Sequence, residues 1–222
     1  MTDHRAVVPV KGLRESKKRL ASHLSQDNRE ILVKALLEDV LSSLGRADIF
    51  SNISVISQDQ HVMDQIRWPK VVLIKQNGTG LNAAVQQSIS SVTKACADSL
   101  TIVLADIPLA QPADFREMLQ VGAHGPKVVL VPSMKGGTNI MTLSPSDAIS
   151  PSYGRWSYSR HLRQAQKKGL SVYSISNPRV SFDIDTPRDL SELHSRDPDG
   201  RTSTGRVAAR MLRIPALSQK RP

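Results

Sequence analysis

An α/β fold, with a mostly parallel central sheet and helices on both faces, is predicted by three observations. Short β-branched runs alternate along the chain with segments of helical periodicity. The runs at Ala6 to Val10 and Leu100 to Ala105 are continuously apolar, as strands covered on both faces are in a largely parallel sheet. The first long helical segment carries an apolar stripe that has to be buried, and a sheet is the partner the alternation supplies.

Taken in order, the strand at Ala6 to Val10 is followed by a helix near 26–44. Ser25 marks its start, its stripe runs through Ile31, Leu32, Ala35, Leu36, Val40 and Leu44, and Gly45 stands where a C-terminal cap belongs. Strands follow at Ile53 to Ser57 and Val71 to Ile74, then a helix near 81–97, the strand Leu100 to Ala105 and a helix near 112–121. Further strands are read at Lys127 to Pro132 and Asn139 to Leu143, a helix at 156–168, and last strands at 171–176 and 180–184. There is no internal repeat. Residues 1–193 form one domain in this reading. Residues 194–222 form a basic, mostly disordered tail, because Ser-Arg-Asp-Pro-Asp-Gly at 195–200 is followed by no sustained periodicity; the alternative is a docked helix at 206–214.

Composition narrows the function. An apolar content of 39% in 222 residues suffices for one sizeable core and excludes a wholly disordered chain. No stretch approaches the roughly 20 apolar residues of a membrane span. Met1 to His4 is polar, without the apolar core of a signal peptide, so the expected compartment is the cytoplasm. A lone cysteine, Cys96, can form neither an internal disulfide nor a thiolate zinc cluster, and reads as a small buried residue rather than a nucleophile. The formal net charge of +10 is concentrated, with +5 in residues 194–222 and +4 in residues 11–20. A nucleic-acid-binding domain would spread its charge over a whole face, whereas one basic block beside the first strand suits a small phosphorylated ligand. The rival reading is a nucleic-acid-binding module with the tail as its arm.

Open α/β sheets bind ligands beyond the carboxyl ends of their strands. After the first strand comes Lys11-Gly12-Leu13-Arg14-Glu15-Ser16-Lys17-Lys18-Arg19, where glycine lets backbone approach a phosphate and the cations neutralise it. A solvated basic turn explains the composition equally well, and the Walker A pattern is absent. The strand ending at Ala105 delivers Asp106, a good magnesium ligand because magnesium takes one or two carboxylates and leaves positions for phosphates; alternatively Asp106 caps the turn before Pro108. In Phe182-Asp183-Ile184-Asp185-Thr186-Pro187, the two aspartates would share a strand face and repel unless a cation holds them. Asp185 or Thr186 before Pro187 also makes an ordinary helix start.

Gly78-Thr79-Gly80-Leu81-Asn82 and Gly136-Gly137-Thr138-Asn139 are turns where a base or phosphate could lie against the backbone, with Asn82 reading a purine edge through its amide; generic turn chemistry serves as well. From Pro151 to His161, hydroxyls and cations cluster at a helix start, a natural anion site. Trp156 and Tyr158 read as packing residues, and His161 as a surface or hydrogen-bonded histidine rather than a general base.

In their joint order, Val8-Pro9-Val10-Lys11-x-Leu13 with Lys17-x-Arg19-Leu20, Gly80-Leu81-Asn82-Ala83-Ala84, Asp106-x-Pro108-Leu109, Gly137-Thr138-Asn139, Tyr153-Gly154 with Ser157, Arg160-His161-Leu162 and Asp183-x-Asp185-Thr186-Pro187-x-Asp189-Leu190 resemble the 2-phospho-L-lactate guanylyltransferases, over about residues 5–193. The resemblance implies a nucleotide-diphospho-sugar transferase (Rossmann-like) fold, GTP as co-substrate, magnesium as cofactor and a role in coenzyme F-420 biosynthesis. Members differ in acceptor: 2-phospho-L-lactate, phosphoenolpyruvate or 3-phospho-D-glycerate. Carried onto this chain, it places the acid on Thr138, Gly154 and Ser157, magnesium on Asp106 with Asp183 and Asp185, and GTP on Lys11, Lys17, Arg19 and the Gly80-Leu81-Asn82 turn. It also suggests a homodimer. Two departures, Ile107 for the commoner Leu and Gly12 where Pro is frequent, remove no chemical group. The reaction implied needs no general base, since a phosphate nucleophile is ionised at pH 7; alignment and charge neutralisation by magnesium, Lys11 and Arg19 would carry it. The rival enzyme reading is a cytidylyltransferase or sugar-phosphate nucleotidyltransferase of the same fold.

Overall fold

The seven strands β1 (His4–Pro9), β2 (Asn52–Ser57), β3 (Val71–Lys75), β4 (Ser99–Val103), β5 (Lys127–Pro132), β6 (Thr138–Ser144) and β7 (Ser171–Ser174) form one sheet in the order β3-β2-β1-β4-β6-β5-β7. The computed structural model describes residues 2–13, 16–66, 68, 70–122 and 125–212. Pairings β1·β2, β2·β3, β1·β4 and β5·β7 are parallel, and β6 runs antiparallel to both β4 and β5. That reversal follows from the short connection between β5 and β6, too short for a crossover.

Side chains alternate across the sheet, and both faces are covered. Val8, Val55, Val103, Val129 and Ile140 pack on α1 (Gln26–Ala47) and α4 (Pro112–Gln120), whereas Val7, Ile56, Ile102, Leu130 and Met141 pack on α3 (Gly80–Lys94) and α5 (Ser157–Lys167). Continuous apolar runs in β1 and β4 are therefore double-faced burial, as expected. Each such fully buried side chain contributes about 1.5–3 kcal/mol. The short α2 (Gln60–Gln65) was not legible in the sequence; Asp59 caps it by accepting from His61 N–H.

A third apolar cluster joins Leu32 and Leu36 of α1 to Phe182, Ile184, and to α6 (Pro187–Arg196) and α7 (Ser203–Met211) through Leu190, Leu193 and Ala208. For residues 194–212 this corrects the reading of a disordered tail. Helix α6 crosses residue 194, and α7 is capped by Thr202, which accepts from Gly205 N–H, and tied to α1 by Asp39, which accepts from Ser203 N–H and from both N–H and hydroxyl of Thr204. Residues 213–222 lie outside the described residues.

Other boundaries shift for identifiable reasons. Ser25 does cap α1, accepting from Asn28 N–H, but the helix passes through Gly45 and ends at Asp48, which takes the left-handed conformation at φ 52°. Ile31 is 47% exposed, so the stripe is Leu32, Leu36 and Val40 on one side and Val33, Leu37, Leu41 and Leu44 beside it. Cys96 is exposed rather than buried, at φ 53° just past the end of α3. Residues 180–184 are not a strand of the sheet. They cross its end, held by Met134 N–H on Ser181 O and Ile184 N–H on Asp106 O, both 3.0 Å. No helix among the described residues is long and apolar enough to cross a membrane.

Candidate active site

A cleft of about 590 Å³ opens at the carboxyl ends of β1 and β4. Its walls are Lys11 and Gly12 after β1, Lys17 to Arg19, Leu104 to Asp106 after β4, and Gly80 and Leu81 at the start of α3. The sequence thus brought Lys11, Lys17, Arg19, Gly80, Leu81, Asp106 and Asp185 to one cavity; Arg14 lies outside the described residues. Lys11 and Arg19 are exposed and have no acidic partner among the described residues. Gly12 serves a different close approach from the one expected: a Cβ there would lie 2.9 Å from Asp59 Oδ2, the oxygen that accepts from Leu13 N–H at 3.0 Å. The cap of α2 therefore also fixes the basic loop.

Lys17, at φ 54°, turns its side chain inward, where Nζ lies 2.8 Å from Asp106 Oδ2 and 2.9 Å from Asp185 Oδ1. Burial alone would lower its pKa, but Asp106 and then Asp185 outweigh burial and raise it. One carboxylate oxygen from each of Asp106, Asp183 and Asp185 lies within 4.8 Å of the others. Burial, reinforced by Asp106, pushes the Asp183 carboxyl up to about 6; at Asp185 burial opposes ionisation, yet Lys17 holds the group below the usual carboxylate range. Asp106 Oδ1 and Asp183 Oδ1 are buried with no hydrogen-bond partner. Bare carboxylate oxygens converging in an interior are costly unless a cation meets them, so these residues fit a hard divalent ion.

The choice left open at Asp185 is resolved. The cap of α6 is Thr186, which accepts from Asp189 N–H, while Asp189 Oδ2 accepts from Thr186 N–H and Asp185 N–H at 2.7 and 2.8 Å. The Asp185 side chain is thereby released to the acidic group. Two residues that sequence reasoning did not assign complete that group. Lys135, on the loop between β5 and β6, lies 3.2 Å from Asp183 Oδ2 and 2.9 Å from Asp189 Oδ2. The signal for Asp189 was its place three residues after Thr186; for Lys135, a lone lysine beside two glycines, there was none.

The same loop leads into a second polar cluster. Thr138, Ser157 and His161 are all buried to within about 1% of complete. His161 Nδ1 lies 3.0 Å from Thr138 Oγ1, Ser157 Oγ lies 3.3 Å from the same oxygen, and His161 Nε2 accepts from Ser152 N–H at 2.9 Å. Burial, with Arg160 adding to it, lowers the imidazole pKa to about 4. Gly154, at φ 121°, is exposed at the mouth of this cluster, and Trp156, 56% exposed, covers Gly136, where a Cβ would meet its ring at 2.7 Å. Thr138, Gly154 and Ser157 are thus held together, beside the cleft rather than in its lining.

Asn82 has a backbone partner that the sequence did not indicate. Its amide engages Tyr153 from both sides, Oδ1 accepting from Tyr153 N–H at 2.7 Å and Nδ2 donating to Tyr153 O at 3.2 Å. It braces the segment that carries Gly154 with one of its two amide N–H groups and one lone pair of its oxygen.

A basic, glycine-edged cleft, three carboxylates that converge beyond the end of the sheet and a mostly parallel sheet with one reversed strand fit a nucleotidyltransferase of Rossmann-like fold. The solved structures agree on the fold: one described as a nucleotide-diphospho-sugar transferase, from Desulfovibrio desulfuricans G20, superposes with a TM-score of 0.76 at 16% identity, covering 96% of this chain and 98% of that one. A family model described as guanylyl transferase CofC like matches residues 4–206, and the chain belongs to that family. Among its relatives are the phosphoenolpyruvate guanylyltransferase of Sphaerobacter thermophilus, 37% identical over 89% of this chain and 96% of its own, and the 2-phospho-L-lactate guanylyltransferase of Methanocaldococcus jannaschii, 30% identical over 87% and 84%.

Proposed function

We propose that this guanylyltransferase transfers GMP from GTP to phosphoenolpyruvate, within coenzyme F-420 biosynthesis. The observation that carries the reaction is the juxtaposition of the cationic cleft with Asp106, Asp183 and Asp185. The choice of acid is supported by the 37% and 36% identity to two relatives named phosphoenolpyruvate guanylyltransferases, against 28% to 34% to relatives named for 2-phospho-L-lactate.

Lys11 and Arg19 bind the triphosphate, and Gly80 and Leu81 seat the nucleoside against the start of α3. Asp106, Asp183 and Asp185 would hold magnesium, which when bound neutralises the phosphate oxygens on which charge accumulates. Thr138, Gly154 and Ser157 orient the acid, so that an oxygen of its phosphate attacks the α-phosphorus in line. The new P–O bond forms as the bond from the α-phosphorus to the bridging oxygen breaks, and pyrophosphate leaves with the electron pair. The nucleophile is already ionised, so the chain's task is alignment and exclusion of water.

Pyrophosphate release tests this, with GTP, CTP or ATP offered alongside each of the three acids. Phosphoenolpyruvate with GTP should be preferred by at least tenfold, and a preference for CTP or for another acid would reject the assignment. Asp106→Ala should reduce turnover at least 1,000-fold, on the order of 4 kcal/mol of barrier, without loss of fold, because the backbone oxygen that anchors Ile184 remains. Near-normal turnover of that variant would remove Asp106 from the site.

A further inference from the structure

A proton count in the buried hydroxyl cluster says more than its geometry alone. Ser152 N–H can only donate, so the His161 Nε2 it meets at 2.9 Å carries a lone pair. The ring is neutral, with its single proton on Nδ1, which then donates to Thr138 Oγ1 at 3.0 Å. Thr138 and Ser157 hold two further hydroxyl protons, and the 3.3 Å contact between them uses one. The other has no acceptor among the described residues, in a place where Thr138 and Ser157 are each only 1% exposed. Were the imidazole proton on Nε2, Nδ1 would accept from Thr138 and both hydroxyl protons would be satisfied inside the protein. The tautomer therefore decides whether the pair offers a hydrogen-bond donor or closes on itself.

We propose that His161 is a positioning residue: fixed as the Nδ1–H tautomer by Ser152, it makes the Thr138–Ser157 pair a net donor to one anionic oxygen of the acceptor acid. The same ring ties together the two chain segments on either side of that acid, the start of β6 through Thr138 and the loop of Gly154 through Ser152. The edge of Tyr153 or His161 against the other's ring, with centroids 5.0 Å apart, fixes the ring plane. The inference rests on the acid's placement under the proposed function. It selects for an acceptor oxygen, as of carboxylate or phosphate, and against a donor-only ammonium at that point.

Long-range proton–nitrogen spectra of histidine-labelled protein read the tautomer directly, the His161 signal being assigned by its absence in His161→Asn. A neutral Nδ1–H ring at pH 7 is expected; an Nε2–H ring or an imidazolium overturns the proposal. In kinetics, His161→Phe should raise KM for the acid at least tenfold and leave KM for GTP within twofold. Thr138→Val should do the same, and the double variant should be no worse than the poorer single one. His161→Asn, whose amide can donate from the Nδ1 position, should recover at least threefold, and His161→Gln, whose amide lies further out, should not. Additive effects, equal changes in both KM values or full recovery by Gln overturn the assignment. The Asn and Gln pair decides alone if His161→Phe does not fold.

Calorimetric titration with phosphoenolpyruvate, inorganic phosphate and pyruvate separates this inference from the reaction. Acid binding that is lost in the variants, without turnover by the wild type, rejects the reaction and keeps the pocket. A wild type that binds none of the three overturns the pocket. Binding of phosphate alone gives the spare proton to the acid's phosphate, and binding of pyruvate alone to its carboxylate.

Discussion

At Asn82 one short side chain makes two hydrogen bonds to the backbone of Tyr153, 71 residues away in sequence. Replacing it by alanine strands a partly buried N–H and carbonyl, which costs about 1–3 kcal/mol. Asn82→Ala should therefore raise KM for the acid while the preference for GTP over ATP stays within twofold; a relaxed base preference with an unchanged acid KM would return the amide to base reading. His161 gives a pH signature at the same scale. Its folded pKa of about 4 lies below the unfolded 6.5, so the unfolded chain binds the extra proton first as pH falls. Stability should be full above pH 6.5 and fall by roughly 3 kcal/mol on the way to pH 4. Urea midpoints measured across that range, in wild type and in His161→Asn, check it; equal slopes in the two proteins would contradict the buried neutral ring. Residue types were legible in the sequence, but the bracing of Tyr153 by Asn82 was not, because that partner is set by the tertiary fold alone.

Elements were legible where the signal is local and ambiguous where it is not. Helix α1 declares itself through Ser25 and a long apolar face, and α6 through Thr186, Pro187 and Asp189. Helix α7 could be offered only as the lesser alternative, because Asp39, in the middle of α1, supplies the acceptors for Ser203 and Thr204. Asp39→Ala should lower unfolding stability by about 2 kcal/mol with kcat unchanged, since α7 lies away from the cleft; denaturant melts and steady-state kinetics on the same preparation separate the two effects. Burial raises the Asp39 pKa, the hydrogen bonds from Thr204 and Ser203 working against it, and that opposition limits what the cap can contribute. The misread strand at 180–184 has a similar origin. Its alternating apolar residues do face cores, but different ones: Val180 joins the cluster on one face of the sheet, whereas Phe182 and Ile184 pack with α1, α6 and α7. The turn before it is anchored sideways, Asn177 and Arg179 both bonding the buried Asp114 of α4.

For the molecule as a whole, the sequence was most informative about layers and least about direction. Continuous apolar runs required helices on both faces, and the structure has them. Nothing in the composition of residues 138–144 revealed that this strand runs against its neighbours. Charge distribution bears on partners at this scale. The basic residues near the C-terminus include Arg196, paired with Glu192, and Arg201, paired with Asp199, so part of that charge is locally neutralised. Removal of residues 213–222 should leave kcat and both KM values within twofold. A salt-sensitive affinity for nucleic acid lost on the same truncation would instead revive the binding-module reading.

The reversed strand has a consequence for which acceptors fit. Because β6 runs backwards, Lys135 beside the carboxylates and Thr138 in the hydroxyl pocket sit at the two ends of one four-residue stretch of chain. Ser133 cinches that stretch by accepting from Lys135 N–H and Gly137 N–H at 3.3 and 2.9 Å. With the acid placed as in the proposed function, the spacing between its reacting end and its anchored end is set by covalent chain, like the fixed jaws of a gauge, and not by the packing of separate elements. Small phosphorylated acids of one length pass such a gauge, and the chain can change which length passes by a single insertion there, without disturbing the sheet.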